Sequence, residues 1–161
     1  MAAAVALRSR RATPWGSKWL LLLWGLAATN VYAQTRLFQI GLIQVGDVRS
    51  APTPPVAGVA AVYLSITNHG AKADSLNSIT SPIAEKVEIH RSTSLEGVMQ
   101  MRQVAALECP PGVTVKVEPG GMHIMLVNLK EPLVAGSTFP LSLKFRDAGM
   151  LVVQVFVNPL E

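Results

Sequence analysis

His90, Met101, His123 and Met125 stand at a spacing that suits one metal ion, with ten residues between the first two and twenty-one between the next two. The last two flank Ile124 in the run Gly121-Met122-His123-Ile124-Met125-Leu126. Two imidazoles and two thioethers form a soft, neutral donor set. Thioether sulfur binds hard ions poorly and Cu(I) well, so the set points to monovalent copper rather than zinc, calcium or magnesium. Nothing nearby in sequence supplies a nucleophile with its base or a paired carboxylate, so the reading is metal carriage and not catalysis.

Taken singly, each of the four has a plainer role. A lone Met in a strand is usually core filler, and a lone His is usually solvated or hydrogen-bonded. The pair His123 and Met125 is more informative, because a separation of two puts both side chains on one face of a strand, about 7 Å apart. His69 lies in a turn with no soft partner near it and reads as a surface residue. Met150 follows a glycine at a hairpin and reads as packing.

Strands must position these residues, because no stretch after Ala33 keeps a helical period for long. Gly58–Thr67 is rich in β-branched and aromatic residues and ends in the turn Asn68-His69-Gly70. Lys86–His90 alternates polar and apolar, with Val87 and Ile89 on the core face and His90 sharing the outer face with Lys86 and Glu88. Val113, Val115 and Val117 alternate with polar residues before Pro119-Gly120-Gly121. Phe139–Phe145 alternates likewise and turns at Asp147-Ala148-Gly149 into Leu151–Val157. In Gly97–Arg102, Met99 and Met101 share a face. Around His123, the apolar set Met122, Ile124 and Leu126 is expected to face the core, so that His123 and Met125 project from the surface. Short strands separated by turn signals predict an all-β, antiparallel sandwich or barrel.

The first third reads differently. Arg8, Arg10, Arg11 and Lys18 precede an apolar run from Trp19 to Ala28, and Val31-Tyr32-Ala33 offers the small residues of a cleavage site. That order is a secretory signal peptide, residues 1–33, cut near Ala33. The apolar run is about half of the ~20 residues that a membrane span needs. Ser9-Arg10-Arg11 carries paired arginines, but Thr13 and Pro14 follow where twin-arginine export favours a bulky apolar residue. The expectation is a periplasmic domain of residues 34–161 without stable membrane insertion. Once the leader is removed the chain holds 10 basic and 10 acidic residues, so the precursor's pI of 9.6 belongs mostly to the leader. No basic cluster remains, which excludes nucleic acid as a partner.

Cys109, the one cysteine, lies in the turn-like Leu107-Glu108-Cys109-Pro110-Pro111-Gly112 and has no internal disulfide partner. It reads as an incidental thiol. An intermolecular disulfide and an auxiliary copper ligand are the sharper readings.

The four residues and their surroundings resemble the PCuAC family of bacterial periplasmic copper chaperones. Its signature is His, ten residues, Met, twenty-one residues, then His-x-Met, matched here by His90, Met101, His123 and Met125. Gly97-Val98-Met99, Met101-Arg102, Pro119-Gly120-Gly121, Leu129-Lys130 and Pro132-Leu133 agree, and the resemblance runs from about Val56 to Val157. It implies a cupredoxin-like β-sandwich with an exposed Cu(I) site and delivery of copper toward the binuclear copper centre of cytochrome c oxidase. The implied partner is a copper acceptor of that oxidase's assembly pathway. Two positions depart from the family. Arg91 follows the first His where Met is common, and Met122 stands where an aromatic is common. Both are expected to alter affinity or exchange rate without removing a primary ligand.

Three other readings are weaker. An electron-transfer cupredoxin needs a Cys thiolate in a tight Cys–His–Met loop, and Cys109 lies fourteen residues before His123. A metal-free β-sandwich interaction module leaves the four residues without a shared role. A periplasmic copper buffer differs from a chaperone only in lacking transfer.

Overall fold

The computed structural model describes residues 36–95 and 98–159. The expected signal peptide lies outside the described residues. Strand accounts for 64% of the structure and no helix is present among the described residues, so the chain is all-β as its alternation predicts. The elements are β1 (Phe38–Ile40), β2 (Ile43–Ser50), β3 (Val59–Asn68), β4 (Asp74–Thr80), β5 (Ala84–Leu95), β6 (Val98–Val104), β7 (Leu107–Cys109), β8 (Thr114–Val117), β9 (Met122–Leu129), β10 (Thr138–Phe145) and β11 (Met150–Val157).

Their hydrogen bonds follow one path, β6-β5-β9-β3-β2-β11-β10-β4-β7, with β1 on β2 and β8 on β3. All pairings are antiparallel except β11 with β2, where Phe156 meets Arg49 and Val157 meets Ser50. The path folds over itself. Ile89 and Ile124, from one end, share a buried cluster with Leu76, Leu141 and Val153 from the other. The result is a two-layered sandwich with its core between the layers. In β2 the register shifts between Gly46 and Arg49, with Asp47 at φ 54°. Beyond this bulge β2 keeps β3 on one side and takes β11 on the other, both at Arg49 and Ser50.

Opposite β2, β3 serves two further partners in turn. Val59–Val62 pairs with β9 and Leu64–Thr67 pairs with β8. Between those two strands Gly120, at φ 80°, makes the left-handed bend that a side chain would resist. At the far end of the path, Asp74 holds the β10–β11 hairpin. Its carboxylate accepts from the backbone N–H of Ser75 at 2.7 Å, Asp147 at 3.0 Å and Ala148 at 2.9 Å. Burial pushes the Asp74 carboxyl up, but the N–H groups of Asp147, Ala148 and Ser75, with Arg146 nearby, outweigh it and leave it below its usual value.

Two sequence expectations change. Met150 does not pack: it is 63% exposed, because the inward positions of β11 are Val153, Val155 and Val157, and Met150 falls on the opposite face. Val113 precedes β8 and is exposed, while Val117 is buried.

Candidate metal centre

The site is built on the edge β6-β5-β9. On β5, Val87 and Ile89 turn toward the core, so Glu88, His90 and Ser92 share the other face. On β9, Ile124 and Leu126 are fully buried, and His123 and Met125 share the face opposite to them. The register then decides what meets. His90 is the direct cross-strand partner of His123. Their ring centroids lie 5.7 Å apart, edge to face at 70°. Met125 is the partner of Glu88 on β5, and Met101 on β6 is the partner of Ser92. Directly opposed residues share a face of the sheet, so all four sequence-predicted residues stand on one face.

His90 is the hub of this arrangement. It faces His123 directly and has Met125 and Met101 as diagonal neighbours, one on each adjacent strand, at the roughly 7–8 Å typical of such pairs. Met125 and Met101 themselves occupy opposite corners. His90, His123 and Met125 therefore form a compact group, and Met101 adjoins it only at His90. Among the described residues no cluster of three His, Cys, Asp or Glu could hold a metal, so any metal centre here depends on sulfur.

Exposure differs from the sequence expectation along β9. His123 was expected to project from the surface, yet it is only 8% exposed. The reason is its strand. β9 runs between β5 and β3, and the His90 ring covers it from the side. Met125 is half-buried beside Ala61 of β3, and Met101 is 65% exposed. Met122, expected in the core, is half-buried at its margin, where Arg91 Nε donates to its Sδ at 3.3 Å.

Glu88 is the residue that the ligand spacing does not reveal. Its Oε2 lies 2.8 Å from His90 Nε2, and its Oε1 pairs with Lys86. Lys86 and then His90, both hydrogen-bonded to it, hold the Glu88 carboxyl below its usual value. The signal available in the sequence was its place two residues before His90, on the same face. Across the strand, His123 Nδ1 lies 3.3 Å from the carbonyl oxygen of Gly121.

Cys109 takes no part. It is fully buried in β7, at the opposite end of the path from β6. Burial, with Asp74 and Glu108 nearby, pushes its thiol up to about 11. A buried, protonated thiol is neither a copper ligand nor an intermolecular disulfide partner, so both sharper readings of Cys109 fail. The electron-transfer reading fails with them.

The family model described as "Putative lipoprotein LpqE-like" matches residues 43–157. The chain belongs to this family, which is the PCuAC family. Among curated proteins, a putative lipoprotein of Leifsonia xyli subsp. xyli is 31% identical over 103 residues, which span 63% of this chain and 62% of that protein. An uncharacterized protein of Rickettsia prowazekii is 32% identical over 99 residues, 61% of this chain and 55% of that one. The match thus spans a little over half the length of these relatives. The apo PCuAC domain from PmoF1 superposes with a TM-score of 0.68 at 21% identity, over 78% of this chain and all of that domain, and shares the fold. CuI-DR1885 from Deinococcus radiodurans superposes with a TM-score of 0.58 at 28% identity, over 82% of this chain and 85% of that one. PCuAC domains are a non-enzymatic family.

Proposed function

We propose that this chain is an exported copper chaperone that carries one Cu(I) on His90, His123, Met125 and Met101, and gives it up in the periplasm to an acceptor of the cytochrome c oxidase assembly pathway. The observation that carries the reading is the register: His90 opposes His123, with a methionine diagonal to it on each side. Family membership and the likeness to copper-loaded DR1885 support the choice of metal. Residues 1–33 act as the signal peptide and residues 34–161 as the working domain.

The donor set explains why such a site can release its cargo. Thioethers stay neutral at every periplasmic pH, and imidazole competes with protons only near and below about 6.5. Four neutral donors hold a soft cation without the charge of a thiolate. A dithiolate acceptor therefore lies downhill for Cu(I), and transfer needs no energy source. Met101 is the ligand that such an acceptor reaches first, because it stands exposed on the hairpin while the other three sit against the sandwich.

Anaerobic titration with Cu(I) against a chromogenic chelator, followed by mixing with a purified paired-cysteine acceptor, tests the proposal. One equivalent bound, with zinc failing to compete, and copper appearing on the acceptor is the expected result. Binding without transfer would make the protein a copper buffer. No Cu(I) binding would leave a metal-free β-sandwich interaction module.

A further inference from the structure

We infer that Glu88 is a positioning residue that fixes the proton of His90 on Nε2, so that Cu(I) is taken by Nδ1 of His90 and by Nε2 of His123. The inference rests on the copper reading above and adds to it the identity of the ligating atoms.

The argument is one of donors and acceptors. An imidazole that binds a metal must present a bare nitrogen, and the hydrogen bond made by its other nitrogen decides which one that is. Glu88 Oε2 lies 2.8 Å from His90 Nε2, and its other oxygen is occupied by the Lys86 ammonium. An ionised carboxylate only accepts, so Nε2 carries the proton and donates it. The lone pair of a neutral His90 is then on Nδ1, which makes no hydrogen bond among the described residues.

His123 is fixed the opposite way. Its Nδ1 lies 3.3 Å from the carbonyl oxygen of Gly121, which also accepts the Ser92 N–H at 3.0 Å. A carbonyl cannot donate, so Nδ1 of His123 carries the proton and Nε2 holds the lone pair. Among the described residues no buried side-chain nitrogen or oxygen lacks a partner. His123 Nε2 makes no such bond, so it reaches solvent although the ring as a whole is nearly covered.

The two rings thus offer unlike nitrogens. Nδ1 adjoins the ring carbon that joins the side chain, and Nε2 lies at the far end. A copper ion shared between them sits nearer to β5 than to β9. That offset moves it toward β6 and Met101, the ligand separated from His123 by a whole strand. The Glu88 side chain is 12% exposed, so its bond to His90 is largely shielded from water.

Long-range proton–nitrogen NMR correlations of the histidine rings test this on the purified chain. Before copper, His90 should show a protonated Nε2 and a bare Nδ1, and His123 the reverse. Anaerobic Cu(I) should shift His90 Nδ1 and His123 Nε2. Glu88→Ala should turn His90 into a mixture of tautomers, leave His123 unchanged and weaken Cu(I) binding by about tenfold or more. Glu88→Gln, whose amide oxygen still accepts from Nε2–H, should keep the tautomer and recover most of the affinity. A purely structural Glu88 would change stability without moving the His90 nitrogens. A protonated Nδ1 on His90 in the metal-free chain, or copper shifting its Nε2, would overturn the assignment while Cu(I) binding stood. No Cu(I) binding by the unaltered chain would instead overturn the copper reading and the ligating atoms together, leaving only the tautomers.

Discussion

The body of the sandwich and its β5–β6 hairpin are made of the same secondary structure and differ in almost every other respect. In β10 and from Val153 onward in β11, every second residue is buried, with Leu141, Leu143, Val153 and Val155 wholly inaccessible. β6 has no buried residue along its length. β5 crosses from one regime to the other: Ile89 packs in the core, and two residues on, Arg91 is exposed on that same face and directly opposes Arg102. Like charges opposed across strands disfavour the pairing. Stability resides in the first region and the exposed sulfur in the second. The body fixes His123 and Met125 on an interior strand, and the overhang presents Met101 on an edge strand that meets the core only at its end, through Val104.

Variants that separate the two regions sharpen this contrast. Phe145→Ala, in the body, removes a side chain 2% exposed and should destabilise the fold by about 3–5 kcal/mol. Denaturant unfolding reads the loss, and the fraction still folded should bind Cu(I) with unchanged affinity. Asp74→Ala should cost less, about 1–3 kcal/mol, because it leaves the hairpin N–H groups of Asp147 and Ala148 unpaired. The sign of its pH dependence follows from the lowered carboxyl. The Asp74 contribution is present above its unfolded value, near 3.8, and is lost as pH falls through the lower folded value. Acid unfolding monitored by fluorescence or circular dichroism should therefore begin at higher pH in the variant. Met101→Leu, on the overhang, should change stability least, by about 0.5 kcal/mol or less, since volume is kept and the side chain is exposed. Its Cu(I) affinity should nevertheless fall clearly. A Met101→Leu protein that unfolds early, or a Phe145→Ala protein whose folded fraction loses copper, would break the division between the regions.

Much of this arrangement is legible in the residues, and what is not has physical causes. Strict alternation reveals β8, β10 and the first half of β5, because each has one wet and one dry face, while β3 shows in its β-branched and aromatic content and β11 in the turn before it. β4 did not announce itself. Its sequence Asp-Ser-Leu-Asn-Ser-Ile-Thr has few apolar residues, and it buries Asp74 and Ser75 through hydrogen bonds rather than hydrophobicity. β2 alternates only until its bulge at Gly46–Arg49 breaks the period. At the candidate metal centre, the faces of His90, His123 and Met125 follow from strand parity alone. The opposition of His90 to His123 does not, since register depends on which strands become neighbours. The burial of His123 was missed for the same reason: parity assigns a face, while the depth of that face depends on the strands alongside. Glu88 shared its face with His90 in the sequence, and only the 2.8 Å contact gives it a role.

In the proposed site, two histidines and two methionines bind one copper ion on a single face of β6-β5-β9. X-ray absorption at the copper edge of the anaerobically Cu(I)-loaded chain tests it most directly. A first shell containing both nitrogen and sulfur, with the sulfur contribution reduced in Met101→Leu and again when Met125→Leu is added, is the predicted result. A shell of nitrogen or oxygen alone, or a sulfur contribution indifferent to both substitutions, would contradict it.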